Sequence, residues 1–138
     1  MQSYSAAILG LLLLCLLPVI LANIAGPLKG KSGLIGGPVK DARDENLLFR
    51  IDRAHGNSVE SIPPFLVPAI LAMLVGVGPQ LLAGLAWTFL AIRAAYAMIY
   101  VRGGPLAKGG SLRTILHVLG SLTTVALIVV VAVSAFGG

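Results

Sequence analysis

This 138-residue chain is short of charge, of aromatic side chains (6%) and of cysteine, of which it has one. The lone thiol, Cys15, cannot form an internal disulfide, and its place in an apolar run marks it as an inert hydrophobe rather than a reactive group. Charged residues are 11% of the chain, against about 25% in soluble domains. Hydrophobic residues are 57% and the mean hydropathy is +0.97. That composition points away from a soluble domain, and away from disorder, because disordered chains are poor in apolar side chains. No cluster of His, Cys and carboxylate has metal-ligand spacing, so no metal is expected. A Gly-rich phosphate loop and a nucleophile elbow are both missing. Ten basic residues against five acidic ones leave a net charge of +5. In so apolar a chain this surplus speaks for membrane topology rather than for nucleic acid.

The apolar residues that are there fall into four runs within a single domain, 1–138. The first, from about Ala6 to Ala25, is long enough for a hydrocarbon core that takes about 20 residues. A cleaved signal peptide would carry Lys or Arg ahead of this run, and none is present, so it is read as a retained helix with Pro18 as a candidate kink. A polar segment follows, starting as a Gly- and Pro-rich loop after Lys29. The second run, Ile62 to Val77, is short, and a helix starting near Asp44 and entering the membrane near Glu60 supplies the missing length. Gly76, Gly78 and Pro79 make a tight turn. The third run, about Leu81 to Tyr100, contains one charge, Arg93, and the fourth goes from about Leu112 to Phe136. The expected helices are about 5–27, 44–76, 79–101 and 111–136, an all-α four-helix membrane bundle. All ten basic residues lie between Lys29 and Arg113, in the loops after helices one and three and the adjoining helix ends. The positive-inside rule puts those loops in the cytoplasm and both termini on the far side.

Polar residues recur at helical spacing near that side. Arg50, Arg53, Asn57 and Glu60 are spaced 3, 4 and 3 apart, on one face of helix two. Helix three carries Arg93, Tyr96 and Tyr100; helix four opens with Arg113 and Thr114, followed by His117 and Ser121. Arg and Tyr at helix ends also snorkel or anchor at the headgroups, and Lys29, Lys31, Arg102 and Lys108 are read that way. Arg93 lies about two turns inside its run, where a charge is expensive and normally paired. For Arg93, Asn57 and Glu60, pairing inside the bundle and contact with a ligand stand side by side. His55 is off the stripe and is read as packing or capping; a lone His117 can carry a proton near neutrality. Small residues such as Ala91, Ala94 and Gly120 can serve close packing within a subunit or between subunits. Several guanidinium groups, one carboxylate, an amide and two phenols complement a small zwitterion with more than one carboxylate. Glutathione, with two carboxylates and one ammonium, is a molecule of that kind.

Arg53-Ala54-His55-Gly56-Asn57-Ser58-Val59-Glu60, followed by Ile62-Pro63-Pro64-Phe65-Leu66, resembles the signature of the MAPEG family, membrane-associated proteins of eicosanoid and glutathione metabolism. Arg93 with Tyr96 and Tyr100, and the Leu112-Arg113 pair, are similar to the family's third- and fourth-helix patterns. The resemblance covers about residues 47–125. It implies a homotrimer with glutathione as co-substrate, bound between subunits near the cytoplasmic face. Arg53, Asn57, Glu60, Tyr96 and Tyr100 would hold the peptide, and Arg113 would act on its sulfur. Arg50, Arg93 and Thr114 are further candidates, Arg93 matching a family position more often paired internally. The implied activity is a glutathione-dependent transferase or peroxidase in the lipid bilayer, acting on a lipophilic electrophile. The charge pattern suits a bacterial inner-membrane member. The alternatives are a non-catalytic lipid-binding scaffold on the same fold and a small four-helix multidrug exporter. An exporter needs a carboxylate near the midplane, whereas Glu60 sits at the edge and helix one has no acid.

Overall fold

The computed structural model describes residues 3–34, 36–107 and 111–137. Four helices account for most of them: α1 (Ser5–Lys31), α2 (Leu47–Leu74), α3 (Pro79–Arg102) and α4 (Leu112–Phe136). A short 3-10 turn, Pro105–Ala107, precedes α4. Lys108, read above as an interface lysine, lies outside the described residues. All four helices are long and apolar enough to cross a membrane. The shortest has 24 residues, which at about 1.5 Å per residue exceeds a hydrocarbon core of about 30 Å. The protein is an integral, multi-pass membrane protein.

Capping chemistry sets the helix ends. The Asn46 side chain accepts from the Leu48 N–H at 3.0 Å and starts α2 there, a few residues after the expected Asp44. At the other end of α2, Gly76 takes a positive φ of 77°. This lets the Val77 N–H reach back to the Ala72 carbonyl at 2.9 Å, while both side chains are buried together in the core. Pro79 then opens α3 at a position where a missing N–H costs nothing. At its C-terminal end α1 runs on through Pro27 to Lys31, past the expected end near residue 27. Lys29 on that last turn bridges to Asp52 of α2 at 2.5 Å.

α2 and α3 form the central pair, and α1 and α4 each pack against both of them. Two apolar clusters hold the bundle. The larger centres on Phe65 and Phe89, whose rings stack in parallel 4.1 Å apart between α2 and α3. Around them pack Leu11 and Leu14 of α1 and Leu127 of α4. Two hydrogen bonds pin the start of α1: the Tyr4 hydroxyl donates to the Val77 carbonyl at 2.8 Å, and Trp87 Nε1 donates to the Ala6 carbonyl at 3.0 Å. The smaller cluster joins Leu21, Ala54, Ala97, Tyr100 and Ala107 at the opposite, polar end. Of the small residues noted in the sequence, Gly120 is buried inside the subunit, between α4 and Ile92, Phe89 and Arg93 of α3. Ala91 is exposed. α4 is held along a narrow stripe, with Gly120 and Leu127 buried and Val130 and Val131 packed against the core, and most of its other apolar side chains are exposed.

Arg50 ties the polar end together. Its Nε donates to the Val101 carbonyl at 3.0 Å, and its Nη1 donates to the carbonyls of Asp44 at 2.7 Å and Glu45 at 3.0 Å. One side chain thus satisfies carbonyls at the end of α3 and before the start of α2. Gly103 makes room for it. Its φ is 76°, and a Cβ there would lie 3.0 Å from Arg50 Nε. Gly103→Ala is therefore expected to lose about 1–3 kcal/mol of stability through backbone strain alone. Unfolding in detergent micelles measures this; a Gly103→Ala protein as stable as the parent would refute it.

Candidate functional site

The polar stripes of α2, α3 and α4 converge at the polar end on two adjoining grooves. One, of about 300 Å³, is lined by Arg53, Asn57, Tyr96, Tyr100, Arg113, Thr114 and His117. The other, of about 320 Å³, runs deeper along the bundle past Glu60, Ser61, Pro64, Phe89, Arg93, Ser121, Thr124 and Val125, and shares Asn57 and His117 with the first. Each is near the lower end of small-molecule sites, about 300–1,000 Å³. Residues spaced 3 or 4 apart share a helix face, and burying the neighbouring face of α2 through Ile51, Ala54, Ser58 and Ile62 leaves Arg53, Asn57 and Glu60 on the grooves.

Arg93 is the structural centre. Its side chain is 1% exposed, and among the described residues it makes no ion pair. Its Nη2 donates to the Asn57 side-chain oxygen and lies 3.4 Å from the Asn57 backbone carbonyl. Nε has no partner. The guanidinium sits 4.7 Å from the centre of the Tyr96 ring, one helical turn along. A guanidinium only donates, so it turns the amide oxygen of Asn57 toward itself. The amide NH₂ is then what Asn57 can offer to the grooves.

Rings and cations alternate outward from there. Tyr96 and Tyr100 have ring centres 6.1 Å apart, and the Arg113 guanidinium stands 4.6 Å from the centre of the Tyr100 ring. Tyr96 also faces the His117 ring at 6.3 Å. The Tyr100 hydroxyl lies 3.5 Å from an Asp44 carboxylate oxygen. Arg53 is exposed and Arg113 half-buried, so both present their charge to the first groove. Glu60 is exposed on the wall of the second groove. In the loop before α2, two bonds from Arg43 hold the Asp41 carboxyl below the usual carboxylate range. Those two side chains face solvent and line neither groove.

Arg53, Asn57, Tyr96, Tyr100, Arg113 and Thr114 are thus brought into one groove, and Glu60 and Arg93 into its neighbour. Arg50 is not brought there; backbone carbonyls take its guanidinium. Ser61 and Thr124 line the deeper groove and were not anticipated. Thr124 continues the spacing of His117 and Ser121 on α4, a signal available in the sequence. Among the described residues no three His, Cys, Asp or Glu side chains come together as a metal site.

The MAPEG family model matches residues 4–133, nearly the whole chain. The chain belongs to the MAPEG family. The MAPEG fold is a membrane four-helix bundle, as observed here, and the family's proteins belong to membrane glutathione and eicosanoid metabolism. No match was found among the curated proteins or among the solved structures. The family match includes α1, which the sequence motifs did not reach.

In this MAPEG-family bundle the Arg93–Asn57 contact has a stability consequence. Removing one partner strands a buried charge, whereas replacing both with apolar groups does not. Asn57→Ala is expected to cost about 3 kcal/mol, and adding Arg93→Met to recover most of it. Unfolding of both variants in detergent checks this; a double variant no more stable than Asn57→Ala alone would count against it.

Proposed function

We propose that this protein is a glutathione-dependent membrane transferase or peroxidase that activates the glutathione thiol against a lipophilic electrophile from the bilayer. The observation that carries this reading is the meeting of Arg53, Asn57, Tyr96, Tyr100 and Arg113 in one groove, with Glu60 and Arg93 beside it. The donor set fits the tripeptide. Guanidinium groups match two carboxylates, the Asn57 amide NH₂ donates to a peptide carbonyl, and Glu60 takes the ammonium.

Arg113 is the residue proposed to act on sulfur, with Thr114 beside it and Arg50 in a supporting role at the polar end. A free thiol titrates at about 8.5. Lowering that by about two units takes roughly 2.7 kcal/mol. A guanidinium about 4 Å from sulfur, at an effective dielectric constant of about 20, supplies about 4 kcal/mol. The thiolate then meets an apolar electrophile entering along the deeper groove past Pro64, Phe89 and Val125.

The assembly proposed is a homotrimer with the site between subunits. The grooves are lined from α2 and α4 by Glu60, His117 and Ser121, which are exposed on helices long and apolar enough to cross a membrane. Polar groups facing hydrocarbon are expensive, and a neighbouring copy that covers them removes that cost. The basic residues cluster at the polar end, which supports its facing the cytoplasm, with both termini opposite. A bacterial inner membrane is the proposed location.

Glutathione should raise the melting temperature of the purified protein in a saturable way, by the equivalent of about 2.7 kcal/mol at 100 times the dissociation constant. The shift should vanish in Arg53→Ala and Glu60→Ala; no shift in the parent protein would end this reading. Arg113→Ala should lose the thiolate absorbance of bound glutathione and slow conjugation of a chromogenic electrophile by about 100-fold, consistent with a few kcal/mol of lost charge stabilisation. If binding and thiolate absorbance both survive Arg113→Ala, the assignment of Arg113 is wrong. Binding without any conjugation would favour the lipid-binding scaffold.

A further inference from the structure

The two grooves differ in chemistry and meet along one line. The groove of Arg53, Tyr96, Tyr100 and Arg113 is mostly polar, and the one past Pro64, Phe89 and Val125 is mostly apolar. Asn57 and His117 line both. With the thiol in the first groove beside Arg113 and an apolar electrophile in the second, sulfur and electrophile meet at that seam, so the bond between them forms there. We propose that His117 is the proton carrier of this reaction: it takes the proton of the thiol and returns it to the electrophile. This rests on the glutathione reading above.

Five further ionisable groups line the grooves beside His117 from the helices packed against α4: Arg53 and Glu60 from α2, and Arg93, Tyr96 and Tyr100 from α3. Arg113 lies one turn back on α4 itself. Near neutral pH a carboxylate is too weak a base to hold a thiol proton. Guanidinium and phenol groups are too weak as acids to give one back. An imidazole does both. The His117 ring is available for it. It is exposed, and among the described residues neither ring nitrogen makes a hydrogen bond. The Tyr96 ring flanks it at 6.3 Å, and the Ser121 hydroxyl bonds to its backbone carbonyl, not to its ring.

The step balances without a further reactant. The S–H bond breaks, the proton passing to an imidazole nitrogen and the electron pair staying on sulfur. Sulfur then bonds to the electrophilic carbon. In addition to an activated alkene, the displaced π pair settles beside the carbonyl, and that carbon takes the proton back from the imidazolium. In substitution on a halogenated arene, the halide leaves with its bonding pair and the imidazolium gives its proton to water. Addition therefore uses the carried proton in making product, and substitution does not.

Two measurements test this on the full-length protein. The first is proton release on glutathione binding, read by calorimetry in buffers of different ionisation heat alongside thiolate absorbance, at a pH where free imidazole is neutral. The parent protein should release well under one proton per thiolate formed, and His117→Gln about one, because its side chain cannot take up the proton. The second compares conjugation rates for an enone and a chlorodinitro arene. The enone-to-arene rate ratio should fall at least about tenfold in His117→Gln, and imidazole added to His117→Ala should raise it again. Equal proton release in parent and variant, or equal slowing of both electrophiles, would overturn the proposal. A parent protein that forms no thiolate and conjugates neither compound would overturn the glutathione reading itself, and this inference with it.

Discussion

A guanidinium buried between α2, α3 and α4, with an amide in place of an acid as its partner, is the constraint on which the rest of the site depends. Arg93 cannot lose its proton and cannot reach water. It must be given acceptors, and the Asn57 side chain and backbone carbonyl provide them. That pairing sets how α2 faces α3 one and two turns along from the Phe65–Phe89 stack. α4 packs close by: a Cβ at Gly120 would lie 3.5 to 3.8 Å from Ile92, Phe89 and the stem of Arg93, in ordinary van der Waals contact.

The same pairing leaves the site electrostatically unbalanced in a useful direction. Because Asn57 spends its acceptor on Arg93, it faces the grooves as a donor. Arg53 and Arg113 add charge of the same sign, and the tyrosine rings lie between the cations as π surfaces rather than as counter-ions. Glu60 stands apart on the neighbouring groove, unpaired with any of the three arginines among the described residues. A ligand that brings negative charge to one place and a positive group to another completes such a set better than the protein does alone.

The two ends of the bundle are held by different kinds of contact. The apolar end is built from stacked rings, alanines and the two hydrogen bonds that fasten the start of α1. The polar end relies on Arg50 and its three carbonyls, on the Lys29–Asp52 pair and on a smaller apolar cluster. α4 belongs to both but is gripped by neither along most of its surface, and that outward face is apolar enough for lipid or for a second copy of the chain. The groove walls that α4 contributes are therefore carried on the least embedded of the four helices.

Much of this was legible in the sequence, because membrane helices announce themselves by length and because a 3–4 spacing of polar residues can only be one face of a helix. The four spans, the α2 stripe of Arg53, Asn57 and Glu60, and the family signature all came from such local rules. The limits of α1 and α2 were less legible, since one depends on a side chain capping a backbone N–H and the other on a proline that the helix absorbs. Arg50 and Arg53 look equivalent along the stripe, yet packing sends one to backbone carbonyls and leaves the other free for the groove. Arg93 and Asn57 are 36 residues apart, and no spacing rule could show that they bond. The sequence by itself determined which residues lie on which helix faces, because backbone geometry is periodic. Only the tertiary structure decided which faces meet, which cation is used up inside the bundle, and where the polar groove joins the apolar one. Those outcomes depend on how side chains from different helices fill one shared space.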